Sequence, residues 1–287
     1  MRALKLLRLA VPMVVFLVAP LYGGNCRWIT EPAAMAFGTY SVFGTLNVAS
    51  TSMYDLRCNP NTSGRVTLST GGAGTFTPRT MASGGNTADY NLYLDAAGVT
   101  IWGDNSGGSV SYDVYNGTPG DKTFTDFIYG IVPFGQDLAP GTYTDTVFAT
   151  LSWNGGAGSR PPVAVAISMT VNPECRVDVF NLNFGSYNPF SVTAINQSSL
   201  LAVYCTRTTV ANVVLNNGSF PLGPQKRMRE GGGTFLSYNA SLPVTSGTST
   251  SSLVPVAAGF NVNGTVPASQ DAVVANYLDT LVATVNY

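Results

Sequence analysis

The C-terminal half of this chain repeats the N-terminal half motif by motif, and the repetition breaks off one strand early. Tyr143-Thr-Asp145-Thr-Val-Phe-Ala149-Thr-Leu-Ser-Trp153 is answered by Tyr277-Leu-Asp279-Thr-Leu-Val-Ala283-Thr-Val-Asn-Tyr287, at a constant offset of 134 residues. The first copy continues through a Gly-rich turn into Val163-Ala-Val165-Ala-Ile167-Ser-Met169-Thr-Val171. Large apolar residues alternate there with small or polar ones, which is the period of a half-buried strand. The second copy has no such segment in this sequence. A sandwich short of one strand exposes a hydrophobic slot and a row of unpaired backbone groups, so it needs a filler from elsewhere.

The duplication extends through the rest of the chain. Cys26-Arg-Trp and Phe37-Gly38-Thr-Tyr40 correspond to Cys175-Arg-Val and Phe184-Gly185-Ser-Tyr187. Arg79-Thr-Met81 matches Arg227-Met228-Arg229, and Tyr90-Asn91 matches Tyr238-Asn239. Val132-Pro133-x-x-Gln136-Asp137 matches Val266-Pro267-x-x-Gln270-Asp271. A unit of this size is a duplicated domain rather than a solenoid repeat. Charged residues make up only 10%, and 31 glycines with many Pro, Thr, Ser and Asn separate short apolar runs, which predicts an all-β fold with many turns.

Residues 1–24 carry Arg2, Lys5 and Arg8 ahead of an apolar run from Leu9 to Leu21, the pattern of a secretory signal too short to span a membrane comfortably. Its removal leaves 11 of the 14 basic residues against 15 acidic ones, a net charge of about −4 that favours neither nucleic acid nor an anionic membrane. Four cysteines in a secreted chain imply two disulfides. Cys26 and Cys58 fall in the first copy and Cys175 and Cys205 in the second, so pairing within each copy is expected. Residues 25–172 are read as a complete N-terminal domain and 173–287 as an incomplete C-terminal one, joined by the short linker Asn172-Pro173-Glu174.

The absence of histidine excludes a Ser-His-Asp or Cys-His arrangement and an imidazole metal site. Oxidised cysteines remove a thiol nucleophile. Asp104, Asp113, Asp121 and Asp126 share one region and could in principle pair as glycosidase carboxylates, but solvated turn residues are the ordinary explanation. Asp104-Asn105-Ser-Gly-Gly lacks the spaced acidic ligands and closing Glu of a calcium loop. The chain is therefore expected not to be an enzyme and to need no cofactor or metal.

The Cys-Arg…Phe-Gly-x-Tyr opening, the stretch Trp102-Gly103-Asp104, the Pro-x-Gly-Gln-Asp turn and the closing Tyr-x-Asp-Thr strand resemble the spore coat protein U domain family. That family includes the pilins of archaic, Csu-type chaperone–usher pili. The match covers residues 26–153 strongly and 175–287 more loosely, because the second copy lacks the Trp-Gly-Asp stretch and is shorter between strands. The resemblance implies two tandem immunoglobulin-like β-sandwiches, the C-terminal one without its final (G) strand and completed by a donor strand from a neighbouring pilin. It implies further partners: a periplasmic chaperone, an outer-membrane usher, and a surface or receptor bound at the tip. Export through the periplasm to a fimbrium on the cell surface follows, with a role in adhesion and biofilm formation.

Few residues precede Cys26 once a signal is removed, so the chain is expected to accept a donor strand and to have none to give, the position of a two-domain tip adhesin. The donor-strand groove is assigned to Leu281, Ala283, Val285 and Tyr287 of the closing strand, with Val177 and Val179 of the opening one. A seven-strand map of the first copy places strands A to G at 33–42, 51–58, 65–69, 88–94, 123–132, 143–152 and 163–171. It puts the loops after B, D and F at the end far from the linker. Trp28, Ile29, Ile101, Trp102, Tyr112, Tyr115 and Trp153 map to that distal end as an apolar binding surface, against the alternative that these aromatics close the core. Two rival functions remain: a structural spore-coat or matrix protein, and a carbohydrate-binding lectin.

Overall fold

The computed structural model describes residues 24–179, 181–256 and 259–287. The expected signal segment lies outside the described residues apart from Gly24. In the N-terminal unit the strands are β1 (Cys26–Thr30), β2 (Met35–Tyr40), β3 (Val48–Cys58), β4 (Thr62–Leu68), β5 (Arg79–Ser83), β6 (Asn86–Tyr93), β7 (Tyr112–Asn116), β8 (Lys122–Val132), β9 (Gly141–Trp153), β10 (Gly158–Ser159) and β11 (Val163–Val171). One layer runs β1-β3-β8-β6; the other contains β4, β9, β11 and β2, with β7 on the outer edge of β4. The β5–β6 hairpin connects the layers, since β5 also touches β9 at Ala82–Thr144.

The seven expected strands correspond to β2, β3, β4, β6, β8, β9 and β11. Four more, β1, β5, β7 and β10, escape the sequence pattern. Each is only two to five residues long, too short for a period to register, and is held by a longer neighbour.

β11 locks the unit. It pairs antiparallel with β9 from Val163–Ala149 to Val171–Gly141 and parallel with β2 from Ile167–Met35 to Val171–Tyr40. Its inward residues Val165, Ile167, Met169 and Val171 are all buried. Each is worth about 1.5–3 kcal/mol of burial, so the four contribute on the order of 6–12 kcal/mol before ordering costs.

The repeated motifs hold this architecture in both copies. The Tyr90 hydroxyl donates to Asp145 Oδ2 at 2.6 Å, and Tyr238 donates to Asp279 Oδ2 at 2.6 Å. Gln136 clamps both backbone groups of Asp89 through its side-chain amide, as Gln270 clamps Ser237. Arg79 is buried and donates to the Ser69 carbonyl, Asn91 Oδ1 and the Trp102 carbonyl. Burial pushes its guanidinium pKa down to about 10.

The C-terminal unit contains β12 (Cys175–Val179), β13 (Ile195–Cys205), β14 (Val210–Leu215), β15 (Lys226–Arg229), β16 (Phe235–Ser241), β17 (Ser246–Thr248), β18 (Phe260–Val266) and β19 (Ala283–Asn286). They form two sheets, β12-β13-β18-β16-β15 and β17-β14-β19. Disulfides Cys26–Cys58 and Cys175–Cys205 fasten β1 to β3 and β12 to β13.

Polar contacts join the units. Glu174 Oε1 accepts the Val42 amide at 2.6 Å and the Ser41 hydroxyl at 2.9 Å. Asp137 Oδ1 accepts the Ser252 amide and hydroxyl, each at 2.8 Å, and Arg207 donates to Asn86 Oδ1 at 2.7 Å. The Arg176 guanidinium lies over the Phe43 ring.

Candidate functional site

The two copies differ most at the place of β11. The C-terminal counterpart of β9 is β19, and the counterpart of β2 is segment 182–187, which forms no strand. Among the described residues no strand lies between them: β19 pairs with β14 alone. The burial pattern follows. Val147, Ala149 and Leu151 are 0% exposed beneath β11, whereas their counterparts Leu281, Ala283 and Val285 are partly open. Met35, Phe37 and Tyr40 are buried, whereas Leu182, Phe184 and Tyr187 are not fully so. The continuous core of the first unit is split into two separate clusters in the second, one around Phe260 and one around Tyr238. Loss of four buried side chains from the middle of a sandwich has that effect.

One wall of the slot is thus β19, carrying Ala283 and Val285, preceded by Leu281, with Tyr287 exposed beyond it. The other wall is Leu182, Phe184 and Tyr187, which the sequence reading did not assign to the groove. Their signal was present: Phe184-Gly185-Ser-Tyr187 matches Phe37-Gly38-Thr-Tyr40, whose strand pairs with β11. Leu182 and Phe184 cover Gly264 as Met35 and Phe37 cover Gly130; a side chain at either glycine would collide with them. Val177 and Val179 lie on β12, the outer strand of the opposite sheet, and share a parity with Cys175. Val179 is 70% exposed. Neither valine belongs to the two hydrophobic clusters of this unit, and β12 pairs only with β13.

The expected distal surface is only partly assembled. Trp102 is fully buried and donates its indole Nε1 to the Val66 carbonyl at 3.0 Å, so it closes the core and is no part of an exposed surface. Tyr54 is the hub of an aromatic cluster with Trp28, Trp102 and Tyr112, at ring separations of 5.6, 5.8 and 6.2 Å. This packing leaves Trp28 and Tyr112 partly buried. Ile101 bridges to Tyr93, which lies opposite Tyr129, well along β8 from its Cys58-paired end. Ile101 is therefore on the flank of the sandwich, not at its tip.

Tyr115 and Trp153 do reach the distal end together, opposite Ser63 and Gly64 on the two sides of β4. Gly64 is fixed by the Cys26–Cys58 disulfide, whose sulfurs leave no room for a side chain there. Tyr115 is 61% exposed, and Ile29 on β1 is 52% exposed. Arg160 covers one face of the Trp153 ring at 5.6 Å. Between β1 and the start of β11 an open cleft of about 620 Å³ is lined by Arg27, Trp28, Glu31 and Arg160 with Pro161 and Pro162.

The Spore Coat Protein U domain profile matches this chain twice, over residues 13–150 and 162–284. The chain belongs to the Spore Coat Protein U domain family. Within it, Protein U of Myxococcus xanthus is 34% identical over 131 residues, covering 37% of this chain and 71% of that protein. Among solved structures, the CsuC–CsuE chaperone–tip adhesion subunit pre-assembly complex of the archaic chaperone–usher Csu pili of Acinetobacter baumannii aligns at 20% identity and a TM-score of 0.48, covering 92% of this chain and 100% of that one. A chaperone–tip adhesin complex of CFA/I fimbriae aligns at 10% identity and a TM-score of 0.34, over 89% of this chain and 96% of that one. The repeated motifs are accounted for by the architecture: Asp145 and Asp279 of Tyr-x-Asp, Phe37 and Phe184 of Phe-Gly-x-Tyr, and Gln136 and Gln270 make the paired structural contacts above.

Proposed function

We propose that this Spore Coat Protein U domain protein is a pilus subunit whose C-terminal unit, from residue 173, accepts a donor strand in the slot between segment 182–187 and β19. The observation that carries this reading is the exposure of Leu281, Ala283 and Val285 where Val147, Ala149 and Leu151 are sealed. The incoming strand would run antiparallel to β19, as β11 runs to β9, and present alternate apolar side chains inward. Until it arrives, the open edge and slot invite aggregation, which a periplasmic chaperone lending a strand would prevent. The N-terminal unit, residues 25–172, is the complete domain, and its distal end carrying Tyr115, Trp153, Ile29 and the rim of Trp28 is the adhesive surface. Such a subunit belongs on an extracellular fimbrium assembled through an usher, and supports attachment and biofilm growth.

The probe for the slot is the chain's own template: a synthetic peptide of residues 163–171 with flanking lysines for solubility. Added to the full chain, it should raise the Tm of the C-terminal transition saturably, and a variant peptide with Asp at the positions of Ile167 and Met169 should not. A C-terminal unit that melts cooperatively alone and ignores the peptide would refute the reading. For the tip, the double variant Tyr115→Ser, Trp153→Ser should reduce retention on a hydrophobic surface at least 10-fold without changing the Tm shift caused by the peptide.

A further inference from the structure

The C-terminal unit has a second opening, on the far side of β14 from the donor slot. In the N-terminal unit the corresponding gap between β4 and β6 is closed by Ile101-Trp102-Gly103. The Trp102 amide donates to the Leu92 carbonyl at 2.9 Å, and the Leu68 amide donates to the Gly103 carbonyl at 3.2 Å. The indole Nε1 donates to the Val66 carbonyl at 3.0 Å, and Arg79 Nη2 donates to the Trp102 carbonyl at 2.6 Å. The second copy has no Trp-Gly-Asp stretch after β16. There Val213, Leu215, Ala240 and Leu242, the counterparts of Val66, Leu68, Leu92 and Leu94, line an open cleft of about 380 Å³ together with Lys226 and Thr245.

The groups that hold the Trp102 segment in one copy stand without it in the other. The Val213 amide donates to the Thr245 carbonyl at 2.8 Å; past that bond the edge of β14 facing the cleft makes no backbone hydrogen bond among the described residues. Register makes Lys226, not Arg227, the counterpart of Arg79, since Arg79 pairs with Tyr90 and Lys226 with Tyr238. Arg79 makes three side-chain hydrogen bonds, whereas Lys226 makes one, from Nζ to Asn217 Oδ1 at 3.3 Å. A cleft of aliphatic and polar side chains flanked by unspent backbone donors and acceptors matches a ligand that is aromatic in its side chain and extended in its backbone.

We propose that this cleft binds an aromatic side chain of the indole class, carried on an extended segment of a partner protein. The Val213 carbonyl receives the ring N–H, and Leu215 and Ala240 pair with the partner backbone. Lys226 supplies a cation near the ring. The volume lies within the roughly 300–1,000 Å³ of ordinary ligand sites. Because the cleft borders β14 and β16, the inference stands independently of what fills the slot beside β19.

The test uses the capped peptide Thr-Ile-Trp-Gly-Asp-Asn, the sequence of residues 100–105, titrated into the full chain carrying methyl-labelled leucine and alanine. Saturable NMR shifts are expected at Leu215, Ala240 and Leu242, with binding at least 10-fold weaker for the peptide bearing Ala in place of Trp. Ala240→Trp, which fills the cleft from within, should abolish the shifts; Leu242→Ser, a milder change, should weaken binding at least 10-fold. The proposal is overturned by silence at these methyls, by equal binding of the two peptides, or by free indole binding as tightly as the peptide. Shifts confined to Leu281 and Ala283 would put the peptide in the donor slot and overturn it equally.

Discussion

The Tyr187 hydroxyl accepts the Gln270 backbone amide at 2.7 Å, repeating the bond from the Gln136 amide to the Tyr40 hydroxyl at 2.9 Å. In the first copy that tyrosine belongs to a strand already paired with β11; in the second it anchors a segment with no strand beside it. Under the proposed donor-strand reading, this bond keeps one wall of the slot in place ahead of the donor. Tyr187→Phe should therefore cost about 1 kcal/mol in urea denaturation of the peptide-complemented chain. An unchanged stability would mean that packing of Phe184 alone holds the wall.

Parity along the closing strand separates slot from solvent. Leu281 faces the interior and Val282 faces outward, 53% exposed. Leu281→Asp should weaken binding of the 163–171 peptide at least 10-fold, because a carboxylate buried under the donor has no partner. Val282→Asp should leave the affinity within about 2-fold, since surface substitutions cost little. Calorimetric titration of both variants checks the pair; equal losses would place the peptide elsewhere.

Arg79 is the most heavily bonded buried cation in the N-terminal unit. Arg79→Met keeps much of its volume but strands the Ser69 and Trp102 carbonyls and leaves Asn91 Oδ1 with the Leu92 amide alone. A loss of about 3 kcal/mol or more is expected, because each buried acceptor left unpaired costs roughly 1–3 kcal/mol. Arg227→Met, with a single such bond, should cost about 1 kcal/mol. Thermal denaturation of the two units, followed separately by tryptophan fluorescence and by NMR, distinguishes them.

Acid should loosen the joint between the units. Burial raises the Asp137 carboxyl, but the hydrogen bonds from Ser252 and Ser251 and the charge of Arg207 outweigh it, leaving the pKa below the usual carboxylate range. A group depressed in this way contributes above its unfolded pKa of about 3.9, and the contribution is lost as pH falls through the lower folded value. Small-angle scattering should show a more variable inter-unit geometry below about pH 4. Asp137→Asn should remove that part of the pH response, and a wild-type profile insensitive to acid would contradict it.

The sequence made the duplication legible because its motifs are the residues that cannot vary freely in this sandwich. Tyr90 and Asp145, Gln136 and the Asp89 backbone, and the two disulfides reappear at matching positions because each makes the same contact twice. The alternating pattern of 163–171 likewise declared a strand buried on one face. Short edge strands such as β7 carry no periodicity and were invisible.

What the sequence alone determined was the all-β class, the tandem repeat and the alternating strand 163–171 of the first copy. Only the tertiary structure decided where aromatics end up, because burial depends on which strands converge. From its loop Trp102 could either face outward or close the core, and it is enclosed by Tyr54, Tyr112 and β4, while Phe184 and Tyr187 stay partly open where, among the described residues, no strand lies between them and β19. Local pattern reports which way a side chain points along its own element; whether anything stands there to cover it is fixed by segments distant in the chain.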